Sequence, residues 1–158
     1  MIPLFPEWMR IILATLAIIQ GGENVSRHET LCLSQAVYFE ARDQDVKTQI
    51  AIASFVYQFA QRNDTTVCHE IYKSRGIRYP WSKKNTLPDT DHPVEHDAWQ
   101  RAVLLSALTL NGAIRYDIGD ATHFLMPHII TRFPNWYDSE LVVSKVGVVE
   151  FLRLEDYK

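Results

Sequence analysis

The sequence lacks the charge pattern of a nucleic-acid-binding protein. Its 158 residues include 16 lysines and arginines against 19 aspartates and glutamates, and the formal net charge is -3. Both signs are spread along the chain, whereas binding to phosphate backbones requires a basic stripe or patch. We therefore expect no nucleic-acid partner. Internal repeats and low-complexity tracts are absent too, so the ordinary composition, 47% hydrophobic and 22% charged, predicts one globular domain.

Long hydrophobic runs are also lacking, because the apolar run over residues 11–19 is too short to span a bilayer. It follows Arg10 and precedes two glycines, a pattern similar to a weak signal peptide or signal anchor without an A-x-A cleavage site. An amphipathic or buried first helix is the alternative. We divide the chain into an N-terminal hydrophobic segment, residues 1–25, and a domain, residues 26–158. The segment is compatible with export to the cell envelope or periplasm and with transient membrane association.

Cysteine is scarce, with only Cys32 and Cys68 in the chain. The two side chains would form a disulfide in an exported protein and remain reduced in a cytosolic one. The sequence leaves both states open.

Helical patterns dominate the first two thirds of the domain. A capping box, Ser26 to Glu29, predicts a helix from about residue 27 through Glu40, and residues 46–62 are apolar enough for a buried central helix. A shorter helix near residues 66–74 is expected to be capped by residues 63–65 and ended by Gly76. A long loop over residues 76–93 precedes a helix over 93–112 that stops at Gly112. The β-branched C-terminal residues predict a small antiparallel sheet, so the expected class is α+β and mainly helical.

One acid interrupts an apolar helical face. The stripe that begins at Leu33 continues with Ala36, Val37, Glu40 and Ala41. An ionised carboxylate moved away from water costs roughly several kcal/mol unless it is paired, so a chain seldom keeps one there without a use. A carboxyl in the apolar lining of a cleft has a raised pKa and can protonate a leaving group, as in glycosidic bond cleavage. An internal ion pair with Arg42 or another basic residue is the structural alternative.

Other chemistries have weaker signals. Residues 92–96 fit the H-x-x-E-H pattern of inverted zinc peptidases, with His92, Glu95 and His96 in the motif positions. Pro93 is better interpreted as the first helical residue, with His92 as the N-cap and Glu95 as the third helical residue. No G-x-S-x-G motif or cysteine-protease signature is present.

Several motifs, taken together and in order, resemble the SleB/CwlJ-type cell wall hydrolases. They are AVYFEAR (36–42), QIAIASFVYQ (49–58), TVCHEIYKSRGIRYPWS (66–82), AWQRAV (98–103), GDATHF (119–124), PNW (134–136) and VGVVEFLR (146–153). The resemblance covers residues 30–153 and is most specific at YFEAR and ATHF. It implies a lysozyme-like, lytic-transglycosylase-like fold that acts on the glycan strands of peptidoglycan without a cofactor or metal, and it assigns the catalytic acid to Glu40.

The resemblance also implies a set of substrate-binding residues. The aromatic side chains near residues 79–81 would stack on sugars, Thr122 and His123 would lie across the cleft from Glu40, and Trp136 would be a second sugar platform or part of the core. The substrate-binding residues expected are Tyr38, Tyr79, Trp81, Thr122, His123 and Trp136.

The chain departs from the family pattern at two positions. Leu125 replaces a histidine that often follows THF, with His128 as a candidate substitute, and Val149 replaces the histidine of the C-terminal I-G-x-H-x-F motif. Because no second acid stands out, the resemblance implies a single-acid route through an anhydro ring, with hydrolysis by water left open. The alternatives are a non-catalytic peptidoglycan-binding or envelope protein and, more weakly, a zinc-dependent peptidase or amidase. Bacterial envelope remodelling and phage-type lysis both suit such a domain.

Overall fold

The computed structural model describes residues 26–73, 78–84, 88 and 91–155. The helices in this part of the chain are α1 (Arg27–Ala41), α2 (Val46–Arg62), α3 (Val67–Tyr72) and α4 (Pro93–Asn111), with 3-10 helices at Pro80–Lys84, Pro127–Ile129 and Ser139–Leu141. The strands are β1 (His123–Leu125), β2 (Val142–Val146) and β3 (Val149–Leu152). The hydrophobic segment, residues 1–25, lies outside the described residues, as does Gly76. None of the described helices is both long and apolar enough to cross a membrane.

Side-chain caps set the helix starts. Ser26 Oγ accepts the Glu29 N–H at 3.3 Å, which confirms the predicted start of α1. The N-cap of α3 is Thr66, whose hydroxyl accepts the His69 N–H at 3.1 Å, so the cap lies one residue later than predicted. The Thr65 hydroxyl donates to the Glu70 carboxylate at 2.6 Å. Gly112 ends α4 in the left-handed conformation at φ 90°, as predicted.

Helix α1 lies at the centre of the fold and packs against α2, α3 and α4. Its predicted apolar stripe is confirmed, since Leu33, Ala36, Val37 and Ala41 are fully buried. Glu40, on the same stripe, is half-buried. The acid therefore lies at an edge of the core rather than in its interior.

The antiparallel sheet has the strand order β1-β3-β2 and confirms the predicted C-terminal sheet. It packs against α2 through Phe55, whose ring lies 5.7 Å from that of Phe151 and 5.1 Å from that of Phe124. His123 pairs with Leu152 in the β1–β3 register. Helices followed by this sheet give the predicted α+β class, and the sheet positions His123 on the far side of a cleft from α1.

Cys32 and Cys68 form a disulfide that joins α1 to α3. Glu29 reinforces this junction, because its carboxylate accepts the backbone N–H groups of Val67 and Cys68 at 2.7 and 3.3 Å. Two otherwise unpaired donors at the start of α3 are satisfied in this way. The helix that carries Glu40 is thus fixed covalently and by hydrogen bonds.

Candidate active site

A cleft of about 680 Å³ separates α1 from the sheet. This volume is within the range of small-molecule and cofactor sites, about 300–1,000 Å³. Helix α1, residues 78–80, strand β1 and the loop after it supply the walls. The lining residues are Glu40, Arg78, Tyr79, Pro80, His123, Phe124, Ile130, Pro134 and Trp136.

Glu40 is the one carboxylate among the described residues that line the cleft. Trp81 Nε1–H donates a hydrogen bond to its Oε1 at 3.0 Å. Burial raises the pKa of Glu40, and the Trp81 hydrogen bond opposes that rise only in part. No ion pair with a basic residue forms within the described part of the chain, so the expected alternative of a pair with Arg42 is wrong; Arg42 pairs with Glu95 at 3.4 Å.

Glu70 provides a contrast within the same domain. It is only 2% exposed, yet its carboxylate accepts hydrogen bonds from Thr65 (2.6 Å), Asn63 (3.4 Å) and Lys73 (3.0 Å). Burial alone would raise the pKa of Glu70, but these donors and the Lys73 charge outweigh it and lower the pKa. Glu70 is a compensated structural acid. Glu40 is the acid whose environment favours its protonated form.

His123 faces the cleft as a neutral imidazole. Burial, with a further contribution from the Arg78 charge, lowers the pKa of His123 to about 4. Thr122 Oγ1 accepts the Leu154 N–H at 2.9 Å and lies 2.9 Å from His123 Nδ1. The same hydroxyl lies 3.4 Å from the Leu152 carbonyl, to which it can also donate, so both tautomers of His123 fit the contact with Thr122.

Arg78 and Tyr79 form the wall beside Glu40. The Arg78 guanidinium lies 4.1 Å from the centre of the Phe59 ring and donates to the Thr122 carbonyl, which joins this wall to β1. Tyr79 is 3% exposed, and burial raises the pKa of its phenol, so its hydroxyl stays protonated. The cleft therefore contains one acid, one permanent cation and neutral aromatic groups.

Five of the six predicted substrate-binding residues line the cleft or contact a residue that lines it. Tyr79, His123 and Trp136 line the cleft, and the rings of His123 and Trp136 are 4.7 Å apart. Trp81 and Thr122 support the lining residues Glu40 and His123 from behind.

Tyr38 corrects the sequence prediction. Residues two positions apart on a helix face nearly opposite directions, so Tyr38 points away from the cleft that contains Glu40. It is 2% exposed, its hydroxyl contacts Glu95, and its ring packs edge-on against Trp99 at 6.0 Å. Tyr38 is a core residue that joins α1 to α4.

The H-x-x-E-H segment serves helix α4, as the spacing predicted. His92 is the N-cap, its Nδ1 accepts the Val94 N–H at 3.3 Å, and Glu95 interacts with α1. Within the described ranges, a single three-residue group has metal-ligand geometry, namely His28, Cys32 and Cys68. Its two sulfurs are already bonded to each other. The donors present do not form the zinc-peptidase arrangement.

The positions that depart from the family pattern do not contribute to the cleft. Leu125 and Val149 are 5% and 1% exposed and pack in the sheet, and His128 is exposed on the 3-10 helix that follows. His128 is not among the lining residues, so it does not replace the missing histidine there. Sequence reasoning also missed the lining roles of Ile130, which lies in no motif, and of Pro134, which lies in the PNW motif but received no role of its own.

Comparisons with protein-family models, curated proteins and solved structures found no match to this chain.

Proposed function

We propose that the protein cleaves the glycan strands of peptidoglycan as a lytic transglycosylase, with Glu40 as general acid and base. The observation that carries the proposal is the state of Glu40, a cleft-lining carboxyl whose pKa is raised by burial and which has no basic partner within the described residues. The motif resemblance to SleB/CwlJ-type hydrolases supports the same residue independently. A lysozyme-like arrangement of the helices belongs to this proposal.

In the first half of the reaction, protonated Glu40 donates its proton to the glycosidic oxygen as the bond to muramoyl C1 breaks. The leaving sugar departs with a new hydroxyl group, and positive charge develops at C1. Glu40 is now a carboxylate close to that charge, and it is held by the Trp81 N–H.

In the second half, the muramoyl C6 hydroxyl attacks C1 and forms the anhydro ring. Glu40 accepts the C6 hydroxyl proton and returns to its starting form, so no water is consumed. A hydrolase with two carboxylates would need a second acid near the scissile bond. The described lining residues supply only Glu40, which favours the intramolecular route.

The other lining groups have binding roles in this mechanism. The neutral imidazole of His123 lines the cleft and is suited to a polar contact with a sugar acetamido or hydroxyl group. The face of Trp136 offers apolar area for a sugar ring, whereas Tyr79 is 3% exposed and belongs to the wall behind it.

The disulfide supports a location outside the cytosol. Such bonds form and persist in oxidising compartments, and peptidoglycan is found there. We propose the cell envelope or periplasm as the working location.

The test is mass spectrometry of muropeptides released from purified peptidoglycan by the wild type and by Glu40→Gln. We expect anhydromuramic ends from the wild type and a loss of at least about a hundredfold in release by the variant, the scale of general acid catalysis. Glu70→Gln is the control, because it alters a buried acid outside the cleft.

Release of products with reducing muramic ends would show that the protein hydrolyses the bond, which would contradict transglycosylation. Equal release by wild type and Glu40→Gln would remove Glu40 as the acid. Binding of strands without any cleavage would identify a non-catalytic peptidoglycan-binding protein.

A further inference from the structure

An aromatic pair lies directly outside the cleft. The rings of Phe133 and Tyr137 are 4.5 Å apart and inclined by 33°. Between them in the chain, Pro134 and Trp136 line the cleft. We call Phe133 and Tyr137 the rim pair. The same short segment therefore supplies two side chains that line the cleft, Pro134 and Trp136, and the two rings that flank them in sequence.

Hydrogen bonds of Tyr137 hold the rim pair in position. The Tyr137 N–H donates to the Pro134 carbonyl at 3.0 Å, which closes the turn that brings the two rings together. The Tyr137 hydroxyl donates to the two carboxylate oxygens of Glu150 on β3, at 3.3 and 3.4 Å. This loop has no helix or strand of its own at residues 133–137, so these contacts fix the pair to the sheet.

Phe133 is nonetheless 46% exposed, which is unusual for a phenylalanine already in contact with another ring. Exposed apolar area next to a cleft marks a binding surface. Flat aromatic area beside the Glu150 carboxylate matches a sugar ring, which offers an apolar face of C–H groups and an edge of hydroxyl donors. Negative charge from Glu150 and Asp138 acts on Tyr137, and this disfavours an anionic lipid surface as the occupant.

We infer that the rim pair is an additional glycan subsite, where Phe133 and Tyr137 stack on a sugar of the strand beyond those held next to Glu40. This inference rests on the proposed function, and it adds that the enzyme binds long strands in preference to short ones. The subsite contributes affinity without contact with the scissile bond.

The test uses the Glu40→Gln background, in which bound strands are expected to stay intact. Dissociation constants are measured by calorimetry for GlcNAc–MurNAc oligosaccharides of increasing length, from a disaccharide upward. We expect affinity to rise when the oligosaccharide becomes long enough to reach the rim pair. Phe133→Ala should remove that rise, a loss of about fivefold to tenfold for long oligosaccharides only.

Two further variants make the result specific. Phe133→Leu keeps apolar area but removes the flat ring, and we expect it to behave like Phe133→Ala. Ile129→Ala is the matched control, since Ile129 is a 55% exposed apolar side chain of the preceding 3-10 helix and has no ring to stack. It should leave the dependence on length unchanged.

Several results would overturn the inference. They are full affinity in Phe133→Leu, an equal loss in Phe133→Ala for every length, or wild-type affinity that does not depend on length. A change in sedimentation with Phe133→Ala would instead identify the rim pair as a contact between copies of the chain. If strands bind and are cleaved by the wild type but the rim variants have no effect, the subsite fails and the proposed function stands. If no oligosaccharide binds and none is cleaved, the proposed function fails.

Discussion

At the scale of single residues, the hydrogen bond from Trp81 to Glu40 sets how strongly the acid holds its proton. Burial raises the pKa of Glu40, and the Trp81 N–H lowers it because a donor stabilises the charged carboxylate. The observed environment is a balance of the two effects. Changing the donor should therefore change the pH range in which the acid is protonated.

Trp81→Phe removes the N–H donor and keeps an aromatic ring next to Phe39, on which Trp81 stacks at 5.1 Å. We expect the pKa of Glu40 to rise further, so the fall in activity on the alkaline side should move to higher pH. The measurement is the pH profile of muropeptide release. An alkaline limb that stays in place, or moves to lower pH, would show that Trp81 does not control the acid.

Protonation of His123 should determine the acidic limb of the same pH profile. With its pKa lowered to about 4, this imidazole is neutral at pH 5 and above and charges only in stronger acid. Protonation would place a second positive charge near Arg78 in this wall of the cleft, so binding should weaken as the pH falls through about 4. The profile is expected to be bell-shaped, with His123 on the acidic limb and Glu40 on the alkaline limb.

Glu40 also has a cost for folding. The pKa of Glu40 is higher in the folded than in the unfolded protein, so the folded state binds the proton more tightly. The folded protein therefore loses stability as the pH rises from the unfolded pKa to the folded pKa of this group. Glu40→Gln removes this loss. We expect the variant to be more stable than the wild type at pH 7 and equally stable near pH 4.

Thermal unfolding at the two pH values tests this expectation. Glu70→Gln should behave in the opposite way, because the pKa of Glu70 is lowered and its stabilisation is present at pH 7. A Glu40→Gln variant less stable than the wild type at pH 7 would contradict the assignment of Glu40 as an uncompensated acid.

At the scale of elements, the turn between β2 and β3 connects the sheet to α2. Gly147 in this turn has φ 57°, and a Cβ built on it would lie 2.5 Å from Thr48 Oγ1. Thr48 is fully buried at the start of α2. Only glycine satisfies both the backbone conformation and this close approach.

Gly147→Ala should therefore destabilise the fold by about 2–4 kcal/mol, since backbone strain and overlap add. Gly119→Ala is the matched control, because Gly119 has a similar φ of 69° but nothing within 4 Å of its Cβ position. It should cost only about 1–2 kcal/mol. The free energy of unfolding of both variants, measured in urea, separates the backbone strain from the steric overlap. Equal losses of this free energy in the two variants would refute the contact with Thr48.

The helices were predictable from the sequence because their signals are local. The caps Ser26 and Gly112 and the apolar stripe of α1 lie within a few residues of the structure that they determine. The same periodicity identified Glu40. It also contained the information that Tyr38 faces away from Glu40, although motif resemblance alone grouped the two together.

The far wall of the cleft was less predictable because its signals are not local. His123 reaches the cleft only when β1 pairs with β3, and Trp81 meets Glu40 across 41 positions of sequence. The loop that places Pro134 and Trp136 has no period, and a turn and the Glu150 contact hold it. Contacts of this kind depend on the completed fold.

At the scale of the whole molecule, the disulfide determines how the helical part is held together. Cys32 and Cys68 are separated by 36 positions, and closing a loop of that length stabilises a protein by about 3–4 kcal/mol. Cys32→Ser with Cys68→Ser should lower the free energy of unfolding by this amount. A reductant should lower the free energy of unfolding of the wild type by a similar amount and leave that of the double variant unchanged. If the wild type did not respond to the reductant, the disulfide would not be a stabilising bond.

The strand pairing of His123 with Leu152 has a consequence for synthesis of the chain. A ribosome produces Glu40 early, but the wall that faces it is complete only after residues 149–152 have left the exit tunnel and paired with β1. A growing chain therefore carries Glu40 for most of its synthesis without the opposite wall of the cleft. The order of the sequence leaves the cleft incomplete until the sheet has been translated.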